Sequence, residues 1–233
     1  LKKYQTLLFD VDDTLLDFAA AEALALERLF ESQNFFLTTQ IEANYRKINQ
    51  GLWKSFEEGK IGRDEVVNTR FSLLFKEYGK IVDGVLLEKN YRGYLEEGHQ
   101  LISGALELIS GLRTNFDLYI VTNGVSKTQD RRLRDSGLHP LFKEIFVSED
   151  TGFQKPMTEF FDHVFARIPN FSPKQALIIG DSISSDIKGG QLAGIDTCWY
   201  NPNAKPNNTS IMPTYEIRSL NELYPILMLT PKA

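Results

Sequence analysis

The chain has 233 residues, 42% hydrophobic and 24% charged, which is near globular averages and enough to bury a core without disulfide or metal staples. With 31 Asp and Glu against 26 Lys and Arg and a net charge of -5, it is not built to coat nucleic acid or an anionic membrane. One cysteine, Cys198, excludes an internal disulfide, and three scattered histidines, His99, His139 and His163, do not suit a Cys/His zinc site, so any metal is expected on oxygen ligands.

The first apolar run, Thr6 to Phe9, is too short for a signal peptide or a membrane span, and no other stretch approaches that length, so a cytoplasmic protein is expected. Because this run stops at an Asp cluster, it reads as a buried strand. From about Phe18 to Glu97 the spacing is helical. Ala19 to Phe30 is rich in Ala, Leu and Glu. Thr39 to Phe56 repeats Ile41, Tyr45, Ile48, Leu52 and Phe56, and Asp64 to Tyr78 repeats Val67, Phe71, Leu74 and Tyr78. With Gly59, Gly62, Gly79 and Gly84 as punctuation, this predicts an all-helical block of about four helices.

After Gly104 helices and strands alternate. Helices are predicted over Ala105 to Leu112, Gln129 to Asp135, Thr158 to Ile168 and Ile183 to Ala193, and strands over Leu118 to Val121, Ile145 to Val147, Ala176 to Ile179 and Thr197 to Tyr200. Asn201 to Asn208 reads as a surface loop, and Tyr215 to Leu227 as a last strand and helix. The alternation predicts an α/β fold, a doubly wound parallel sheet joined by right-handed crossovers. Residues 1–17 and 98–233 would form that core, with 18–97 inserted after the first strand as a helical lobe.

Ligands of such sheets gather at the carboxyl ends of the strands. Here those ends carry Asp10-Val11-Asp12-Asp13-Thr14, Thr122-Asn123-Gly124 and Gly180-Asp181-Ser182, with Asp186 one turn on and Lys155-Pro156 after a further strand. Any one of these is an ordinary helix cap or turn; the four together are not. The groups suit attack by a carboxylate on phosphorus. An Asp anion about 3.3 Å from a phosphate oxygen costs roughly 5 kcal/mol per like-charge pair at an effective dielectric near 20, so positive charge must cancel it. Asp10 and Asp181 could share a Mg²⁺ with the phosphate, Lys155 adds a point charge, and Thr122 offers a donor. Asp10 and Asp12 flank Val11, so an extended segment would aim both carboxylates alike and let Asp12 protonate the leaving oxygen.

These four motifs resemble the signature of the haloacid dehalogenase superfamily over essentially the whole chain, and the helical block resembles its C1 cap. The resemblance implies a Rossmann-like core, Asp10 as a nucleophile that becomes phosphoaspartate and Asp12 as general acid and base. It further implies Mg²⁺ held by Asp10, the Asp12 main-chain carbonyl and Asp181, with Asp186 supporting the metal site from behind. Thr122, Asn123 and Lys155 would bind the substrate. The dehalogenases proper carry Tyr where this chain has Asp12, so an acid there implies phosphoryl chemistry.

Thr122-Asn123-Gly124-Val125, Thr128-Gln129, Arg132-Leu133, Ser136-Gly137-Leu138, Ser148-Glu149, Gly152, Gln154-Lys155-Pro156 and Phe160-Phe161 resemble the bacterial pyrimidine 5′-nucleotidase group. That implies nucleoside monophosphates such as UMP, dUMP and dTMP as substrates, with no nucleic-acid or membrane partner. The alternatives are another small-metabolite phosphatase, on phosphoglycolate or a sugar phosphate, and a phosphomutase. A catalytically silent module would have lost one of Asp10, Asp12, Lys155 or Asp181, and all are present. In the lobe, Trp53 and Phe56 could stack on a base and Asn49 could bond its edge, although core packing is the commoner role of such aromatics. Arg131-Arg132-Leu133-Arg134 reads as a solvated helix face and Cys198 as a buried small hydrophobe.

Overall fold

In a computed structural model, which describes residues 4–228, six strands form one parallel sheet. They are β1 (Thr6–Phe9), β2 (Asp117–Thr122), β3 (Glu144–Val147), β4 (Ala176–Gly180), β5 (Asp196–Tyr200) and β6 (Tyr215–Ile217), in the order β3-β2-β1-β4-β5-β6. The order reverses at β1, which pairs with β2 on one side and β4 on the other, Phe9 lying opposite both Ile120 and Ile179. Every residue of β1 is buried, which is why it reads as an unbroken apolar run.

Alternate residues serve opposite faces. Leu7, Phe9, Leu118, Ile120, Leu177 and Ile179 pack with Leu108, Ile109 and Leu112 of α5 (Ala105–Leu112) and Leu133 of α6 (Ser126–Asp135). Leu8, Tyr119, Val121 and Ile178 pack with Phe160, Phe161 and Val164 of α8 (Thr158–Phe165). Helices therefore cover both faces, as the alternation predicts. Cys198 is buried in the first of these clusters, and burial, followed by the Glu222 charge, pushes its thiol up to about 12.

Two local departures matter. A short helix not expected from the sequence, α7 (Ser148–Thr151), follows β3 directly. The predicted helix from Ile183 opens instead as a π turn, Ile183–Ile187, before α9 (Lys188–Leu192). Ser182 carbonyl oxygen accepts from both Asp186 N at 3.0 Å and Ile187 N at 3.1 Å, and the second of these bonds is the wider π closure.

The chain divides into two compact units, Leu1–Phe18 with His99–Ala233, and Ala19–Gly98. The second unit holds α2 (Thr39–Glu57), α3 (Arg63–Glu77), α4 (Gly84–Leu95) and all but the first residue of α1 (Phe18–Ser32). Thr38 caps α2 by accepting from Ile41 N, and Asp83 caps α4 by accepting from Leu86 N. Inside the unit, Tyr45 stacks on Phe71 at 5.4 Å, and Arg70, 1% exposed, donates to Glu88 at 2.6 Å and to Asn49 Oδ1 at 3.1 Å. Glu88 also accepts from Arg92 at 2.5 Å, so the buried charges are paired. Among the described residues no helix is long and apolar enough to cross a membrane.

The close approach of α3 and α4 depends on Gly84, where a Cβ would lie 2.3 Å from the Asn68 carbonyl oxygen. Gly84→Ala must push backbone apart and is expected to destabilise the helical unit by about 1–3 kcal/mol, read as a lower midpoint in denaturant unfolding.

Candidate active site

Asp10 continues the ladder of the central strand, its N–H donating to Ile179 oxygen at 2.9 Å, and this holds the buried carboxylate at the carboxyl edge of the sheet. Lys155 reaches it from the segment before α8. Lys155 Nζ donates to Asp10 Oδ1 at 2.7 Å, Asp186 Oδ1 at 2.6 Å and Val121 oxygen at 2.7 Å. All three ammonium hydrogens are thereby engaged. Asn123 sets the lysine's backbone: its Oδ1 accepts from Lys155 N and its Nδ2 donates to Lys155 oxygen, each at 2.9 Å. The Asn123 side chain, expected on the substrate, is thus committed to Lys155.

Asp181 follows β4, where Trp199 Nε1 donates to its carbonyl oxygen at 2.8 Å. Asp10, Asp181 and Asp186 each bring a carboxylate oxygen within 4.8 Å of the others. Asp186, expected behind the metal ligands, therefore stands close enough to count among them. It can do so because Gly180 has no side chain: a Cβ there would lie 2.2 Å from Asp186 Oδ2. Ser182 N donates to that same oxygen at 3.1 Å.

Three carboxylates cluster here, two of them, Asp10 and Asp186, on the Lys155 ammonium, and the electrostatics follow. Burial pushes Asp10 up to about 8, the Asp186 and Asp12 charges add to the rise, and Lys155 opposes it. Asp181 is also held well above the usual carboxylate range, by burial first and then by Asp10, Asp186 and Asp13. Burial works against the charge on Lys155, but Asp10 and Asp186 outweigh it and hold the ammonium above its ordinary value. An all-oxygen donor set with surplus negative charge fits a hard divalent cation such as Mg²⁺.

Thr122 ends β2 beside Asp10's strand. Its Oγ1 accepts from Gly124 N at 3.1 Å and Gln129 Nε2 at 3.0 Å, which fills its lone pairs and leaves the hydroxyl hydrogen to donate elsewhere. After Asp12 the chain enters a tight turn. Val11 oxygen accepts from the amides of Leu15 and Leu16, each at 2.9 Å, and Asp13 sits at φ 57. The Asp10 and Asp12 carboxylates take different partners: Asp12 Oδ1 accepts from Arg132 at 2.5 Å and Oδ2 from Gln129 at 2.9 Å.

Arg132 corrects one expectation. Arg131 and Arg134 lie on a solvated face and pair with Asp135 and Asp130, but Arg132 is 1% exposed. Positions 128, 129, 132 and 133 share the inward side of α6. In the helical unit, Asn49 is buried, with Oδ1 accepting from Arg70 and Nδ2 donating to Glu22, and its amide is not offered to a ligand. Phe56 is likewise buried, with Trp53 edge-on to it at 5.6 Å, so packing rather than base recognition describes Phe56.

The family model for haloacid dehalogenase-like hydrolases matches residues 4–194. The chain belongs to that family. YfnB of Bacillus subtilis is 70% identical over 227 residues, 97% of each chain. The YfnB crystal structure in its orthorhombic form, bound to magnesium and revealing interdomain movement, superposes with a TM-score of 0.95 at 69% identity, over 98% of this chain and all of that one. The pyrimidine 5′-nucleotidase PynA of Streptococcus pneumoniae is 44% identical over 221 residues, covering 94% of this chain and 93% of that protein. The pyrimidine 5′-nucleotidase YjjG of Escherichia coli is 30% identical over 225 residues, covering 97% and 98%. This haloacid dehalogenase-like hydrolase is therefore an enzyme with full-length relatives.

A methyl group at position 180 would displace Asp186 from both Lys155 and the carboxylate cluster. Gly180→Ala is expected to weaken Mg²⁺ binding roughly 10–100-fold, measured by calorimetry, in a protein whose circular dichroism is unchanged.

Proposed function

We propose that this enzyme is a Mg²⁺-dependent phosphomonoester hydrolase working through a phosphoaspartyl intermediate, with pyrimidine nucleoside monophosphates as substrates. The observation that carries the chemistry is the buried Asp10 carboxylate at the end of the central strand, joined to Lys155 and clustered with Asp181 and Asp186. The substrate class rests on the likeness to PynA and YjjG across nearly their whole lengths.

Asp10, Asp181 and the Asp12 main-chain carbonyl would hold the cation, with Asp186 beside them. When bound, Mg²⁺ supplies the positive charge that lets a phosphate dianion approach a carboxylate. The chain does the rest. The free oxygen of Asp10 forms a bond to phosphorus while the ester P–O bond breaks. Lys155, its hydrogens held by Asp10, Asp186 and Val121, contributes its positive charge, and the Thr122 hydroxyl donates to a phosphoryl oxygen. Asp12 gives its proton to the departing alcohol oxygen, then as a carboxylate takes a proton from the water that attacks phosphorus. That second attack breaks the Asp10–phosphorus bond and releases inorganic phosphate, returning Asp10 and Asp12 to their starting states.

A panel of phosphate esters assayed with Mg²⁺ at neutral pH tests this. UMP, dUMP and dTMP are expected to be hydrolysed faster than phosphoglycolate and sugar phosphates, with EDTA stopping turnover reversibly and Asp10→Asn abolishing it. Equal or faster release from the sugar phosphates removes the nucleotidase assignment, and full activity in Asp10→Asn removes the mechanism.

Burial holds Asp10 above the usual carboxylate range, so protons compete with a cation for this group. Asp181 shifts in the same direction. Mg²⁺ affinity is therefore expected to rise with pH, with proton release on binding diminishing as the pH rises. Calorimetry in two buffers of different ionisation enthalpy at pH 6.5 and pH 9 reads both quantities; an affinity independent of pH contradicts it.

A further inference from the structure

Asp10 and Asp186 share the Lys155 ammonium, whereas Asp12 is held by α6. Arg132 Nη1 donates to Asp12 Oδ1 at 2.5 Å and Gln129 Nε2 donates to Asp12 Oδ2 at 2.9 Å, so each carboxylate oxygen has its own donor. Anchors on both oxygens fix both torsions of this short side chain, where a single anchor would leave it free to rotate. The carboxylate needs such support, since its side chain is 31% exposed.

The two anchors are also tied to one another and to the phosphoryl-binding edge. Arg132 Nη1 donates to Gln129 Oε1 at 3.0 Å, and Gln129 Nε2 donates its second hydrogen to Thr122 Oγ1 at 3.0 Å. Only the amide nitrogen of Gln129 can face a carboxylate, so its orientation follows from its partners. Gly124 leaves room for this amide: a Cβ there would lie 2.7 Å from Gln129 Cγ and Nε2. Arg132 lies over the Phe18 ring at 5.6 Å, and both donors are 1% exposed. A buried guanidinium is costly to maintain, and its surface neighbours Arg131 and Arg134 make i,i+4 pairs on their own helix. Burying this one serves Asp12.

We propose that Gln129 and Arg132 are positioning residues that hold Asp12 in the orientation from which it transfers a proton to and from the ester oxygen and the attacking water. The inference rests on the acid and base role proposed for Asp12. It makes a distinction that a purely structural role does not. An alkoxide leaving from an alkyl phosphate must be protonated as its P–O bond breaks, whereas p-nitrophenolate leaves without that proton. Since kcat/KM reports the steps through that first cleavage, loosening Asp12 penalises alkyl esters selectively.

The experiment compares kcat/KM for UMP and for p-nitrophenyl phosphate, with Mg²⁺, in the unmodified protein and in Gln129→Met and Arg132→Met. UMP is expected to lose roughly 10²-fold, and the aryl ester at least about tenfold less. Asp12→Asn is expected to show the same selectivity, and adding Gln129→Met to it is expected to change kcat/KM for UMP by less than about threefold. Equal losses on the two esters, or a full further loss on top of Asp12→Asn, overturn the proposal. Should Arg132→Met fail to fold by circular dichroism, the uncharged and nearly isosteric Gln129→Met decides alone. Failure of the underlying reading is distinct: the unmodified protein would release no Mg²⁺-dependent, Asp10-dependent phosphate from either ester, and both proposals would fall together.

Discussion

A lysine ammonium with almost no solvent exposure fixes the geometry of the catalytic edge. Buried and charged, Lys155 needs an acceptor for each hydrogen, and it finds them at three places in the sheet: Val121 in β2, Asp10 after β1 and Asp186 beyond β4. These meet because β1 lies between β2 and β4 in parallel register. No single segment could assemble the set. The backbone of Lys155 is held as firmly as its head group, by the two-way amide contact with Asn123.

Two buried charge clusters illustrate what separates a structural network from a reactive one. In the helical unit, Glu88 is paired with Arg70 and Arg92, and Glu22 accepts from the Asn49 amide that Arg70 also holds. At the sheet edge Asp10, Asp181 and Asp186 lie within reach of one another, and Lys155 pairs with Asp10 and Asp186. The surplus raises Asp10 and Asp181 above their ordinary range, a state that a divalent cation relieves. Stability alone would not select such an arrangement, because a balanced or apolar cluster of the same volume costs less. Close approach depends on small features: the absent side chain at Gly180 and the π turn after Ser182 bring Asp186 back against the strand end.

Much of the fold was legible because each element carries its own period. Thr6 to Phe9 is a short apolar run ended by acids, Thr39 to Phe56 repeats at helical spacing, and the alternation after Gly104 implies a parallel sheet, which is the sheet observed. The candidate chemistry was legible for a related reason. Parallel topology sends every strand's carboxyl end to one edge, so Asp10, Thr122 and Asp181 could be grouped from strand positions alone.

Other features had no local signal. By charge alone Arg-Arg-Leu-Arg reads as a solvated face; the burial of Arg132 depends on which face of α6 turns toward Asp12, 120 residues away along the chain. The partners of Asn49 are not written in its neighbours along the chain, since Arg70 and Glu22 close on the two ends of its amide from other helices. The sequence by itself determined the order of strands and helices and which residue types reach the sheet edge, because hydrophobic period and strand ends are local properties. Only the tertiary structure decided which carboxylate meets which cation, because that pairing depends on contacts between segments whose separation in sequence carries no information about their distance in space.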